Sequence, residues 1–475
     1  MVLLWYSKNM EFVVNNKQKF EDFRKKYPDF FYNSYSWQKN GLVLTLFFTY
    51  AFGTENAFIT SLEINLPEEI SDEVIKKNED FIFRIGLIQA LSYWKAYCSS
   101  NFHIDCGNLN EKELSWWQDI WYDGMGEFRY RNNLLDVSKE NWVKFILNSS
   151  EIDGEEKIRD FSDLSGNLIA FTGGKDSSLT LGLLQGEKSN ELFSVNPTLD
   201  IEKVRKFFHY DRCPEIIIHR EIHEKLLTLN QEGALNGHTP FSATVAFVGI
   251  FLASLRKKKY VIISNESSAD EVTVLGTDIN HQYSKSLIFE NNFKNYCDLV
   301  WPGGPQYFSI LRPFTEIGII SLLGQHEEII QYISSCNAKT KDGLWCGKCA
   351  KCFFSFLIFS AVWDIYFAKK IIGVDMLAVP ENLDMLYELT GIAPNKPFEC
   401  VGTKEESLSS LAVIFEKFSD TSKNEALLKT FLERHKDLLP DPKKFKQIAC
   451  EFHSNLLPGE FKEIIRRARE KICHE

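Results

Sequence analysis

Residues 168–184 read LIAFTGGKDSSLTLGLL, and the order of residue types along this stretch decides the fold. Leu168, Ile169, Ala170 and Phe171 form a short continuous apolar run, the pattern of a parallel strand covered on both faces. Thr172, Gly173, Gly174, Lys175, Asp176 and Ser177 then break it. Paired glycines permit positive φ and close approach of backbone to a ligand, so several N–H groups can converge on one anion. Ser177 or Ser178 is expected to cap a following helix whose apolar face includes Leu179, Leu183 and Leu184. A helix N-terminus binds phosphate. Lys175 adds a cation for phosphate oxygens, Asp176 a carboxylate for Mg²⁺, and the Thr172 and Ser177 hydroxyls further hydrogen bonds. Thr172 to Ser177 are thus the expected ATP-binding residues, with Lys175 and Asp176 also expected to act in catalysis. An ordinary Gly-Gly turn with a solvated Lys-Asp pair is the bland alternative; strand, loop and helix arriving in this order favour the nucleotide.

The hexapeptide resembles the SGGxDS loop of the PP-loop ATP pyrophosphatases, which split ATP between its α and β phosphates to form an adenylate. Thr172 replaces the first serine and keeps the hydroxyl. The spacing is not that of a Walker A loop, which needs four residues between its glycines and a following Gly-Lys-Ser/Thr.

A chain of 475 residues is too long for one small core and is expected to divide into two or three domains. Its 44% hydrophobic and 25% charged content is that of a folded globular protein. The formal net charge of -11 argues against a general nucleic-acid binder, which needs a basic surface. The opening MVLLWYSKNMEF lacks the pattern of a secretory signal, and the longest apolar run, Phe353 to Trp363, is too short to span a bilayer. A cytoplasmic protein with no membrane partner is expected.

The first expected division, residues 1–160, is an α+β accessory domain. Lys39-Asn40-Gly41 between apolar runs signals a β-hairpin, and Phe81 to Tyr97 reads as a helix. The aromatic stretch from Trp116 to Phe128 reads as core packing rather than a ligand platform. Residues 161–374 form the expected α/β domain, a parallel sheet with crossover helices. Its further strands are Leu192 to Val195, Glu215 to Ile218 and Tyr260 to Ile263, and its clearest helix is Thr244 to Leu255. Residues 375–475 read as a helical C-terminal region, with a capping box at Thr403-Lys404-Glu405-Glu406 and helices near 424–438 and 460–471.

Ligands of open α/β sheets bind beyond the carboxyl ends of strands. Two polar segments follow the Tyr260 strand: Ser264 to Asp270, and Asn280 to Ser286. A third, Asn236 to Ser242, precedes the Thr244 helix and can close over a nucleotide. Glu266, Asp270, His281 and Lys285 on these segments are the candidates for proton transfer, with Cys400 a weaker one. Arg312 can pair with a substrate carboxylate or phosphate. Four of the eleven cysteines, Cys336, Cys346, Cys349 and Cys352, have the spacing C-x9-C-x2-C-x2-C. That suits a closed, structural Zn²⁺ site, and an iron-sulfur cluster would use the same ligands.

Beyond the loop, WWQDIWYDGMGEFRYRNN, FTGGKDS, NESSAD, NHQYSKS, YFSILRPFTEIG, WCGKCAKC and KPFECVGT together resemble the ATP-dependent UDP-N-acetylmuramoyl-L-alanyl-L-glutamate epimerase family. The resemblance implies a PP-loop fold (adenine nucleotide alpha hydrolase-like) with structural zinc. It implies an enzyme of peptidoglycan precursor synthesis that inverts the terminal L-glutamate of a UDP-linked muramoyl dipeptide to the D form, using ATP and Mg²⁺ and releasing AMP and pyrophosphate. The alternatives are a nitrile-forming synthase of the 7-cyano-7-deazaguanine type, which lacks so large an N-terminal region, and a non-catalytic nucleotide-binding module.

Overall fold

The computed structural model describes residues 13–53, 56–148, 160–187, 189–197, 201–336, 338, 345–418 and 426–474. The opening segment read for an export signal, and residues 424–425 of one expected helix, lie outside them.

Among the described residues, ten strands make one sheet. The first three are β1 (Asp29–Asn40), β2 (Val43–Phe52) and β3 (Asn56–Asn65), an antiparallel meander whose first turn is Gly41-Leu42, one residue on from the expected Asn40-Gly41, since Asn40 pairs with Val43. Two short strands, β4 (Asn101–Ile104) and β5 (Lys144–Leu147), add in parallel beside β1. The remaining five are β6 (Asn167–Ala170), β7 (Asn190–Val195), β8 (Glu215–Arg220), β9 (Tyr260–Ile263) and β10 (Gln306–Ser309), all parallel. The order is β10-β9-β6-β7-β8-β3-β2-β1-β4-β5. The segment expected as an accessory domain therefore shares a sheet with the expected α/β domain, joined where β3 pairs antiparallel with β8 and Ile64 faces Ile218.

The central strands are short and continuously apolar because both faces are covered. Side chains alternate across a strand. In β6, Leu168 belongs to one core and Ile169 to the other; in β9, Val261 and Ile263 face the first core, Tyr260 and Ile262 the second. The first core contains the buried helix α1 (Glu79–Trp94), α2 (Glu111–Asp123) and α5 (Phe241–Leu255); between α2 and α5 in the chain come α3 (Gly126–Arg131) and α4 (Lys175–Leu183). Trp117, Trp121, Met125 and Phe128 are fully buried there, as core packing requires. The second core joins residues of β6 and α4 to the C-terminal helices: α7 (Glu316–Leu323), after α6 (Leu287–Val300), then α8 (Ala350–Val362) and α9 (Lys404–Phe418). The capping box of α9 forms as its sequence predicts, Glu406 N–H donating to Thr403 Oγ1 (3.1 Å) and Thr403 N–H to the Glu406 carboxylate (2.7 Å). Among the described residues, no helix is long and apolar enough to cross a membrane.

Helix α5 lies unusually close to the sheet. A Cβ placed on Gly249 would sit 2.7 Å from Val261 Cγ1 and 3.2 Å from Phe193 Cζ, so only glycine allows this approach. Replacing Gly249 with Val should overpack the core and cost about 1–3 kcal/mol, read as a lowered denaturation midpoint with unchanged denaturant slope.

Candidate active site

The loop leaves the carboxyl end of β6. Gly173 has φ of +76°, a left-handed conformation that glycine adopts without strain, and Gly174 is the N-cap of α4. The helix starts earlier than expected, so Ser177 and Ser178 do not cap it. They occupy its first turn, where their hydroxyls donate back to the Gly174 carbonyl (3.2 and 2.8 Å), the local bond that serines make inside helices. Ser177 Oγ also accepts from Thr172 N–H (3.4 Å), closing the loop on itself. Thr180 and Ser264 hydroxyls, 2.8 Å apart, tie α4 to the end of β9.

Lys175 is buried and does not reach into solvent. Its ammonium is clamped between the carboxylates of Asp176 and Glu316. Burial alone would lower its pKa, but Asp176, Glu316 and Glu266 raise it, so the cation is permanent. Carboxylate oxygens of Asp176, Glu266 and Glu316 lie within 4.8 Å of one another. Burial pushes Glu316 well above the usual carboxylate range; Glu266, equally buried, is held below it by Lys175 and Lys285. Three acids crowd one clamped lysine, and burial disfavours the charged forms of Asp176 and Glu316, so the cluster as it stands resists full ionisation. A divalent cation offsets that resistance, and an oxygen-rich set is the donor type that Mg²⁺ takes.

A cleft with about 320 Å³ of empty space, part of it open to solvent, adjoins this cluster. Glu266 belongs to both. Lining the same cleft are His281, Lys285, Lys396, Glu399 and Cys400. Lys285 Nζ lies 3.0 Å from Cys400 Sγ, and His281, which lines the same cleft, acts on the sulfur's charge. Burial opposes a charged imidazole, but Cys400 and then Glu127, whose Oε2 is 3.5 Å from His281 Nδ1, raise His281 to about 9. His238 lies beside it, ring centroids 5.5 Å apart, and burial lowers it to about 4. The Asn236 to Ser242 segment therefore backs the histidine, held by Lys95 Nζ donating to Asn236 Oδ1 (2.7 Å) and Gly237 O (2.8 Å).

Arg312 and Asp270 have other duties than those expected. The Arg312 guanidinium is fully buried and donates to the Glu266 carbonyl (2.7 Å), the Lys285 carbonyl (2.6 Å) and the Glu290 carboxylate (3.1 Å). It fixes the two site segments rather than binding an incoming anion. Asp270 accepts from Leu287 N–H (2.6 Å) at the start of α6.

The four cysteines of the expected metal site come together, one ligand atom from each lying within 4.8 Å of the others. Cys346 and Cys349 sulfurs are 3.6 and 3.5 Å from that of Cys352, near the ~3.8 Å edge of a tetrahedron with ~2.3 Å metal-sulfur bonds. Backbone N–H groups of Cys346, Lys348 and Cys352 point at the sulfurs of Cys336, Cys346 and Cys349, as thiolate ligands favour. The cluster adjoins the site. Ser335 Oγ accepts from Lys175 N–H (3.5 Å), and Lys351 N–H donates to Glu399 Oε2 (2.8 Å).

Glu316, Lys351, Lys396, Glu399 and Glu127 carried no expected role. Glu316 offered one signal: it is the only charged residue in the apolar helix EIGIISLL. Glu127 was hidden among tryptophans, in a stretch whose aromatics do form core.

An α/β enzyme is the class these features define: an anion-suited loop at a sheet's carboxyl edge, an acid cluster, and a polar cleft between them. The description "MurL N-terminal domain" matches residues 21–310 and "MurL C-terminal domain" residues 332–444. The chain belongs to the MurL family. It is 30% identical over 76% of its length to a UDP-N-acetyl-alpha-D-muramoyl-L-alanyl-L-glutamate epimerase from a Micromonospora species, covering 81% of that protein. Identity to the enzyme of the same name from Salinispora tropica is 30%, over 76% of this chain and 79% of the relative. For that from Xanthomonas oryzae pv. oryzae it is 28%, over 73% and 77%.

Arg312 supplies a direct test of the site's scaffold. Arg312→Met leaves Glu290 buried without its cation and should cost roughly 3–5 kcal/mol, measured by chemical denaturation. Adding Glu290→Met should recover a substantial part of that loss.

Proposed function

We propose that this enzyme inverts the terminal L-glutamate of UDP-N-acetylmuramoyl-L-alanyl-L-glutamate to the D form, in peptidoglycan precursor synthesis, by way of an acyl-adenylate. ATP is consumed and AMP and pyrophosphate are released. The relatives' names support the substrate and the inversion. The adenylate rests on one observation: Glu266 joins the Lys175-Asp176 loop to the cleft holding Lys285, His281 and Cys400, so activation and proton transfer share a wall.

The chemistry requires such a pairing. An α-proton beside an ionised carboxylate is very weakly acidic, because its removal sets a second negative charge next to the first. Esterifying that carboxylate to AMP removes its charge and turns the carbonyl into an electron sink. The loop N–H groups and the α4 N-terminus would receive phosphate oxygens. Asp176, Glu266 and Glu316 would hold Mg²⁺, which supplies charge neutralisation for the phosphates, and Lys175 keeps the acids assembled. Cys336, Cys346, Cys349 and Cys352 would hold a structural Zn²⁺ that sets Ser335 and Lys351 against the loop and cleft. A nucleotide-linked substrate and ATP are both cytoplasmic, and we place the enzyme there.

Phosphorus NMR of a turnover mixture should show AMP and pyrophosphate; ADP and phosphate would overturn the adenylate. Asp176→Asn should lower inversion by about 100-fold or more, as losing one preorganised charge-stabilising group does elsewhere. Its melting temperature should stay close to that of the parent.

Elemental analysis should find one zinc per chain, whereas iron with labile sulfide would replace that assignment by a cluster. Cys349→Ser should lose the metal and melt about 3–5 °C lower, the size expected for a few kcal/mol at this chain length.

A further inference from the structure

The cleft contains a sulfur whose surroundings differ from those of the free thiols outside the four-cysteine cluster. Burial pushes the thiols of Cys98, Cys106, Cys213 and Cys297 upward, the usual fate of a structural cysteine. Cys400 lies against two cations, Lys285 Nζ at 3.0 Å and the His281 ring, and it lines the cleft wall beside Glu266. Burial alone would raise its thiol too, but Lys285 and His281 reverse the effect and hold it well below the usual range. Both cations are themselves raised, His281 to about 9, so neither has a free electron pair with which to accept a proton near neutrality. This reverses the ranking that the sequence alone suggests for His281, Lys285 and Cys400.

We propose that Cys400, as a thiolate paired with Lys285 and His281, is the base that takes the α-proton of the glutamyl residue, with those two cations as positioning residues. The proposal rests on the acyl-adenylate reading for its electron sink. In the step, the Cα–H bond breaks and an S–H bond forms on Cys400. The released electron pair moves into the adenylated carboxyl group as an enolate. Water or a second side-chain acid then gives a proton to the opposite face of Cα, and the Cys400 thiol loses its proton to water entering the cleft, restoring the thiolate, which Lys285 and His281 stabilise as cations. Lys285 keeps its charge throughout.

The test follows hydrogen exchange at Cα separately from nucleotide chemistry. UDP-N-acetylmuramoyl-L-alanyl-L-glutamate, ATP and Mg²⁺ are incubated with the enzyme in deuterated water, and product chirality, Cα deuterium and pyrophosphate are measured. Cys400→Ser and Cys400→Ala should lower kcat for inversion about 1,000-fold, within the range for losing a general base, with little change in KM for ATP. Pyrophosphate formation should persist in both. Cys213→Ser, a change at a thiol remote from the cleft, should behave as the parent enzyme. Inversion by Cys400→Ser within tenfold of the parent would overturn the proposal. Inversion by the parent without pyrophosphate release would instead refute the adenylate, and the Cys400 variants would still be judged by Cα exchange. Should the variants misfold, alkylation of the intact enzyme by iodoacetamide at pH 7 decides. Peptide mass spectrometry should find Cys400 modified at least tenfold faster than Cys213, slowed by bound substrate and in Lys285→Met; equal rates would count against a thiolate.

Discussion

A buried ammonium demands partners, and Lys175 takes both of its own from different parts of the chain. Asp176 is its neighbour, but Glu316 lies 141 residues on, at the first turn of α7. Leaving any one of these charges uncompensated in the interior would cost several kcal/mol, so the loop, α7 and the β9 end are committed to a single arrangement. Glu266 enters the same electrostatic unit, held ionised by Lys175 on one side and Lys285 on the other. The Gly-Gly loop and the cleft are thus two ends of one charge network.

Arg312 supplies the geometric counterpart. It hydrogen-bonds the backbone carbonyls of Glu266 and Lys285 directly, so the main chain carrying each site residue is fixed, not only the side chain. Catalytic groups held to within fractions of an ångström need no reorganisation at the moment of reaction. The metal-suited knuckle performs a similar service from the other direction, through Ser335 and Lys351, and Lys351 adds positive potential at both Asp176 and Cys400.

Features encoded by neighbouring residues were legible in the sequence. The apolar run at Leu168, the Gly-Gly loop, the Thr403-Glu406 capping box, the hairpin turn at Gly41 and the cysteine spacing each depend on contacts a few residues apart, apart from Cys336. Features made by distant chain segments were not. Nothing local announces that Ile64 will face Ile218, and an antiparallel partner for β8 is invisible to a pattern of alternating strands and helices. Glu266, His281, Lys285 and Cys400 stood out as polar candidates in the sequence, but that they line one cleft, with Glu127 behind His281, follows only once the sheet and the C-terminal helices have packed. The glutamate of an apolar helix and an acid among tryptophans were visible oddities whose meaning depends on what faces them. The serines placed as caps instead bond back within the helix, because Gly174 already supplies the extended N-cap backbone.

The seam between β3 and β8 has a bearing on how this protein can be handled and how it could have been assembled. A fragment beginning at β6 would keep the loop, the cleft acids and the four cysteines, yet β8 would become an outer strand with Ile216, Ile217 and Ile218 on an unpaired edge. Such an edge invites intermolecular strand addition. The meander therefore covers an edge that the parallel half would otherwise expose, and a shortened chain would be prone to self-association.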